Sequence, residues 1–496
     1  MELITWVLLG LFLLISGLLL SNRNPKDDRL PPGPRGLPFI GCPWALLSEF
    51  NVLFTKFADK WGDVVSVNIL GETIVVLSSP GVVREAFSSQ AFGETFSGRG
   101  PAPSINDHVD KMSSFLQPGP TWSKLRKILH KVLNRHGESL LETEKTIQEE
   151  LTHVMKALEK AGQPVNMDRV IYSSLLNIIT ILLKGQRYDY DSPVLSNARV
   201  LDETAAQTCS PSVTLLFHLF PFLKMLDVGP GRLVRENQRA ERQFVLDYFE
   251  EPKASYNPDV TRGMVDVLLR HQKETGNSLL TDNHIKGTLQ EMIAAGVMTT
   301  RGALYSFFLI TLHHPVVMAA IQNEIQAVVG ESRFPKLEDS SQMPYTNAAI
   351  LELLRYISHV PVGLPHRTTD DVIFHGYVIP KHTTVFCNLW YFHHDEKVWD
   401  NPWEFKPQRF LDADGNLVPA NHPKRKNLMP FGNGRRSCVG ESFAKSRLFL
   451  YITTLLQKFH ITRDPERPPR SCDPRTYRPG IVLSPYEYCV KVVPRH

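Results

Sequence analysis

The chain has 496 residues, 42% of them hydrophobic and 21% charged, with a formal net charge of +4 at neutral pH. That length can bury one large core or two to three ordinary ones. The mild positive balance excludes a nucleic-acid-binding composition and leaves only local basic patches to matter. The six cysteines (Cys42, Cys209, Cys387, Cys438, Cys472, Cys489) form no CxxC pair, which argues against a zinc site or a dense disulfide framework and for a reducing compartment.

Leu3 to Leu20 is an almost unbroken apolar run without a charge, close to the ~20 residues that cross a bilayer. The only charge before it is Glu2, and no small-residue cleavage site follows, so it reads as a retained anchor rather than a cleaved signal. Arg23, Lys26 and Arg29 come directly after it, which by the positive-inside rule predicts a cytosolic body. The run from Pro31 to Pro38 is too rich in proline for a helix or sheet interior and reads as a stiff spacer. The predicted organisation is an anchor over 1–20, a basic and proline-rich hinge over 21–38, and a catalytic domain over 39–496.

Val64 to Leu70 and Thr73 to Leu77 are β-branched runs that predict a hairpin about Gly71-Glu72. Helical periods dominate from Pro80 onward. Trp122 and Arg126 fall four apart on a helix beginning near Thr121, hence on one face. Leu215 to Leu223 is strongly apolar but broken by Pro221; it is either the end of a core helix or a surface loop dipping into a bilayer. Thr281 to His313 carries the longest helical pattern, with Thr281 or Asp282 as N-cap and Pro315 beyond its end. Such a helix is about 50 Å long. Inside it lies Ala295-Gly296-Val297-Met298-Thr299-Thr300, and a mid-helix glycine predicts close approach by something or a local widening. Thr299 either serves chemistry or bonds back to its own helix.

Glu352 and Arg355 stand one turn apart, an ordinary surface pair in most proteins. Val360 to His366 is held extended by its prolines. Lys424-Arg425-Lys426 forms a basic run, and Ile481 to Val493 is apolar and β-rich after a turn at Pro479-Gly480. In Phe431-Gly432-Asn433-Gly434-Arg435-Arg436-Ser437-Cys438-Val439-Gly440, glycines allow a tight turn beside a flat ligand. The segment from Glu441 reads as a helix start, whose amide dipoles favour a thiolate, the metal-binding form. Cys438 is therefore the candidate metal ligand.

This loop resembles Phe-x-x-Gly-x-Arg-x-Cys-x-Gly of the cytochrome P-450 haem-thiolate enzymes, with every fixed position filled. The hinge, Trp122/Arg126, the Gly296–Thr299 helix and Glu352/Arg355 precede it in that family's order, and the resemblance covers nearly everything after the anchor. It implies a mainly α fold, one large helical domain with a small β region. It also implies haem b held by the Cys438 thiolate, with Trp122, Arg126, His366 and Arg436 at the propionates and Ala295, Phe431 and Gly440 against the haem. Glu352, Arg355 and Arg409 form a structural brace under the cysteine loop. Gly296 and Thr299 belong to the oxygen groove, and Val362, Gly363, Leu364 and Ile481 to the substrate pocket. The implied activity is reductive oxygen activation and hydroxylation of a sterol, fatty acid or xenobiotic. Its electrons come from NADPH through cytochrome P-450 reductase, with cytochrome b5 as a further donor. Lys124, Lys127, Lys424, Arg425, Lys426 and Arg435 offer a docking patch for that acidic flavoprotein. The expected location is the endoplasmic reticulum membrane, single-pass, with the catalytic domain in the cytosol.

One position departs from the pattern. Met298 stands where the family places an acid, and a thioether passes no proton. Two further readings therefore stay open: an isomerase or dehydratase of lipid peroxides that needs no reductase, and a non-enzymatic haem sensor or carrier.

Overall fold

The computed structural model describes residues 29–495 apart from 38–39, 101–107, 134–137, 162–163, 210–212, 214–215, 218–219 and 277–278. The apolar run Leu3–Leu20 and the basic residues Arg23 and Lys26 lie outside the described residues. Helix makes up 56% of the chain, which places the fold in the mainly α class. The sequence treats 39–496 as one domain; the chain sorts into two compact units.

The first unit comprises the described part of Met1–Gly100 with Pro361–Phe392 and Gly432–Ser437. It holds α1 (Phe50–Trp61), α2 (Pro80–Ser88) and a four-stranded sheet of order β1-β2-β6-β3. Its strands are β1 (Val64–Ile69), β2 (Glu72–Leu77), β3 (His366–Arg367) and β6 (Thr384–Cys387), and β4 (Val372–Phe374) and β5 (Tyr377–Ile379) form a separate hairpin. Pairing Ile69 with Glu72 makes Leu70-Gly71 the hairpin loop, one residue earlier than the sequence predicts. Both loop residues have positive φ, 53° and 85°, the conformation a two-residue turn needs to match strand twist. Leu70 accepts a strained backbone there, which no propensity reading anticipates. Phe54, Val65, Val67 and Val76 form the apolar centre of this unit.

The proline run is no free spacer. Pro32 O accepts from Ser66 N (2.8 Å) and Pro31 O from Ser66 Oγ (2.5 Å), so the described hinge lies along β1.

The second unit comprises Pro101–Val360, His393–Phe431 and Cys438–His496. Its main helices are α3 (Pro120–Leu133), α4 (Glu138–Lys160), α5 (Met167–Lys184), α6 (Pro193–Thr208), α7 (Gly229–Val245), α8 (Met264–Glu274), α9 (Asp282–His313), α10 (Pro315–Val328), α11 (Pro344–Ile357) and α12 (Glu441–Lys458). Strands β7 (Phe459–Arg463) and β8 (Val490–Pro494) pair antiparallel. The β-rich tail expected from Ile481 thus becomes a ladder only at Val490.

α9 is the axis of this unit. Thr281 caps it, accepting from His284 N while the His284 ring returns a bond to Thr281 N, a capping box. Every residue from Gly302 to Leu312 is buried, the mark of a helix surrounded on all sides. The helix is long and apolar enough to cross a membrane, but 67% of its most apolar window is packed inside the protein. It contacts both α5 and α12.

Of the apolar segment before Leu223, Phe217 is buried while Phe220 and Phe222 are 46% and 56% exposed. Met225 and Val228 beyond it are 76% and 65% exposed. The described part thus combines a helical, buried Phe217 with a short exposed helical turn at Pro221–Met225.

Candidate functional site

The cysteine loop turns on Gly432 and Gly434, with φ of 72° and 73°. At Gly434 a Cβ would also stand 1.9 Å from Phe87 O in the first unit, so both conformation and space demand glycine. Within the second unit, Cys438 N donates to Phe431 O (2.8 Å), and Gly440 serves as N-cap of α12. A Cβ on Gly440 would meet the Cys438 Sγ at 3.9 Å.

Cys438 is at once enclosed and accessible. Its side chain is exposed, yet the surrounding protein pushes its thiol above the ordinary value by desolvation. The Gly440 N–H and the positive charges of Arg126 and Arg447 pull it back, and Glu441 adds to the rise. The sequence expects the helix terminus to favour the thiolate; in the protein alone, desolvation prevails over it. A soft sulfur donor that is accessible yet set in a desolvating surround suits a metallocycle whose iron is held by a cysteine thiolate.

Trp122 and Arg126 share α3, and Trp122 is buried. Burial lowers Arg126, while Cys438 and Glu291 favour its charge. Glu291 itself is fully engaged: it accepts from Ser113 N (2.8 Å), Ser113 Oγ (2.7 Å) and Ser114 N (2.9 Å). That carboxylate anchors a loop and does not replace the acid missing at Met298.

On α9, packing alone already requires a small residue at Gly296. A Cβ there would lie 2.8 Å from Ile179 Cδ1 on α5, and Gly296 O accepts from Arg447 Nη1 (2.7 Å). Thr299 Oγ1 donates to Ala295 O (2.7 Å), the helix-internal alternative left open by the sequence. Ala295 is exposed.

Arg447 escapes sequence reasoning altogether. It is 2% exposed on α12, its guanidinium lies 4.2 Å from the Phe443 ring centroid, and burial lowers it to about 10 while Tyr451 and Cys438 favour its charge. An isolated arginine in an amphipathic helix carries no sequence signal for this place.

Met298 lines a cleft of about 710 Å³ with Arg301, Asp168, Asp202 and Glu203 among its walls. Arg301 Nε and Nη2 bond both oxygens of Asp168 (2.6 and 2.5 Å). Burial raises the Asp202 carboxyl from 3.8 to about 7, offset in part by the Tyr172 hydroxyl and Arg301, while Glu203 adds to the rise. The folded state thus holds this proton more tightly than the unfolded chain, so stability falls as pH rises between 3.8 and about 7 and stays reduced above. Asp202→Asn is expected to raise the melting temperature by about 2–4 °C above that window and to leave it unchanged below 3.8. Equal shifts at both ends, measured by scanning calorimetry, would contradict this.

The brace is complete. Glu352 binds Arg355 Nε and Nη2 (both 2.8 Å), Arg409 Nε (3.2 Å) and Lys406 N (3.0 Å). Arg355 Nη1 donates to His393 O (2.8 Å), and His393 Nε2 accepts from Met429 N (3.0 Å). The network therefore reaches within two residues of Phe431, whose carbonyl holds the Cys438 amide.

In the first unit, His366 is buried and stacks on Phe87 with centroids 4.0 Å apart. Its Nδ1 lies 2.8 Å from Phe96 O. Burial and Arg99 hold it well below the usual histidine value, against the Phe96 bond, with Arg436 adding to the depression. Arg436 Nε donates to Ser97 O (2.8 Å). Val362 packs on the apolar cluster of the sheet, Gly363 has φ 61°, and Leu364 O accepts from Arg99 (3.0 Å). Ile481 belongs to the second unit.

A helical body with an accessible cysteine at a helix N-terminus over a buried Glu/Arg/Arg brace defines the class of haem-thiolate proteins. The chain belongs to the cytochrome P450 family, whose family model matches residues 31–492. It is a cytochrome P450 monooxygenase, an oxidoreductase with haem b held by a cysteine thiolate. Among its relatives, it is 33% identical to cytochrome P450 2F3 of Capra hircus over 99% of this chain and 100% of that one. It is 32% identical to cytochrome P450 2F1 of Homo sapiens over 99% and 100% of the two chains. For cytochrome P450 2B4 of Oryctolagus cuniculus the identity is 34% over 96% and 97%.

Proposed function

We propose that this monooxygenase hydroxylates a lipophilic small molecule, a sterol, fatty acid or xenobiotic, with Cys438 as the residue that would hold the haem iron. The observation that carries the ligand assignment is the enclosed yet accessible thiol of Cys438, fixed by its amide bond to Phe431 O. Bound haem supplies oxygen activation, in which one atom of O₂ enters the substrate and the other leaves as water, using two electrons and two protons. The protein orients that chemistry: Trp122 and Arg126 suit propionates as donors, and His366 and Arg436 are assigned the same role by residue type. Glu352, Arg355 and Arg409 hold the loop.

Electrons are assigned to NADPH-cytochrome P-450 reductase, with cytochrome b5 as a further donor. The exposed Lys127 and Lys426 suit an acidic flavoprotein. The apolar run Leu3–Leu20 supports single-pass anchorage in the endoplasmic reticulum membrane with the body in the cytosol, and the exposed Phe220, Phe222 and Met225 suit contact with the bilayer surface.

Met298 favours a second reading, the isomerase or dehydratase of lipid peroxides. Reductase-supported NADPH oxidation over a panel of lipophilic compounds separates them: substrate-dependent consumption with hydroxylated product supports the first. No consumption, together with turnover of hydroperoxides, supports the second. Within the first reading, protons reach the reaction through water, since the Met298 thioether transfers none. Met298→Asp places a carboxylate one turn from Arg301 and is expected to raise the fraction of NADPH converted to product. A lower fraction would show that the groove is arranged differently.

A further inference from the structure

Arg447 sits near the end of the second turn of α12, the helix that Gly440 caps directly after the cysteine loop. Side chains on a helix lean toward its N-terminus, and Arg447 follows that rule. Its guanidinium lies 4.2 Å from the ring centroid of Phe443, one turn back toward Cys438, and its Nη1 donates to Gly296 O of α9 (2.7 Å). The residue is 2% exposed, and its Nε has no acceptor among the described residues. No carboxylate is among the groups that act on it. The equally buried Arg355 and Arg409 differ, because both are paired with Glu352.

A buried guanidinium without an anion is costly, and methionine or leucine would fill a helix interior without that cost. Burial lowers Arg447 only to about 10, so it stays charged at neutral pH. Two groups favour that charge: Tyr451, one turn further along α12, and Cys438. Tyr451 offers no anion. Burial, with Glu150 adding to the effect, holds its phenol neutral, and its oxygen lies 2.5 Å from Ser174 Oγ. That leaves the Cys438 sulfur, which is negative once it ligates iron as a thiolate. Arg126 also acts on that sulfur, with Glu441 opposing it, but Arg126 answers to Glu291 as well.

We infer that Arg447 is a positioning residue that acts through Cys438: its guanidinium is the counter-charge of the iron-bound thiolate and raises the reduction potential of the haem. The buried guanidinium that lacks a carboxylate, leaning one turn back toward Cys438, is the observation that carries it. Reduction adds one electron to the iron, supplied by the flavoprotein donor of the monooxygenase reading. The iron–sulfur bond is kept and no proton moves, so the net charge of the site falls by one. A fixed positive charge in a poorly solvated place favours that more negative state. The inference rests on the assignment of Cys438 as the ligand and goes beyond it by naming the side chain that tunes it.

The test is an equilibrium redox titration of the full-length holoprotein with dithionite and mediator dyes, on the unsubstituted chain and on Arg447→Gln, Arg447→Met and Arg447→Lys. The Gln variant keeps a donor for Gly296 O without the charge, the Met variant keeps only the packing, and the Lys variant keeps the charge. Both neutral variants are expected to lower the equilibrium constant for reduction about tenfold, which for one electron is about 59 mV. Lys should restore most of it. The carbon–oxygen stretch of the reduced carbon-monoxide complex gives a second reading. Without the positive charge the thiolate pushes more electron density through the iron, so the stretch should move to lower frequency with Gln and Met and stay in place with Lys. Equal potentials in all four proteins, or a fall that Lys shares with the neutral variants, would overturn the inference. If both neutral variants lose the thiolate-type absorption band while Lys keeps it, the charge is what holds the thiolate and the inference stands; loss of the band with Lys as well overturns it in favour of packing alone. The same band in the unsubstituted protein tells the two levels apart. Its presence with unmoved potentials sinks this inference alone, whereas its absence sinks the haem assignment beneath it.

Discussion

Glu352→Ala is expected to leave little folded protein. Glu352 and Arg355 have no exposed side-chain surface, and Arg409 has 4%. One carboxylate pairs with both guanidiniums, so its removal leaves two buried cations without their counter-charge. Breaking a buried ion pair from one side costs about 3–5 kcal/mol, a large part of the ~5–15 kcal/mol that holds a typical domain together. The damage would not stay local. Arg355 also holds the His393 carbonyl, and the His393 ring holds the Met429 amide, so the segment leading to Phe431 loses its support. Soluble yield and haem content should both collapse, and any protein recovered should unfold at a markedly lower denaturant concentration. A midpoint matching that of the unsubstituted chain would show that the brace contributes little.

Much of this architecture was legible because its signals are local. The caps of α9 lie within three residues of its ends, and Thr281 and His313 bound it as the sequence predicts. The cysteine loop is likewise readable, since its glycines serve a turn and its helix starts three residues after Cys438. Glu352 and Arg355 are visible as a one-turn pair, but Arg409 joins them from 57 residues away, which only resemblance to a family reveals. What stayed hidden depends on tertiary packing. Gly296 admits Ile179 from α5, a contact that no pattern within α9 encodes. Arg447 reaches the Gly296 carbonyl across 151 residues. The proline hinge misled for the same reason: composition shows that it is stiff, but not that β1 would bind it.

The role of Cys438 rests on chemistry that serine does not reproduce. Cys438→Ser keeps the size of the side chain and the amide bond to Phe431 O (2.8 Å), and the glycine turn does not depend on sulfur. The fold is therefore expected to survive. A serine hydroxyl, however, is a far weaker acid and a harder donor than a thiol, so it offers no soft anion to iron. The electron push that thiolate ligation lends to O–O cleavage would be lost, and hydroxylation should fall by orders of magnitude. The other described cysteines sit elsewhere: Cys42 and Cys387 are buried, and Cys209, Cys472 and Cys489 are only partly exposed, so none is placed to take over.

The most direct measurement is the absorption spectrum of the reduced carbon-monoxide complex, recorded for the unsubstituted chain and for Cys438→Ser at equal haem content. The account predicts the red-shifted thiolate-type band in the first and its absence in the second, with far-ultraviolet circular dichroism unchanged between them. The same band in both proteins would show that iron is bound by another residue and would contradict the assignment of Cys438.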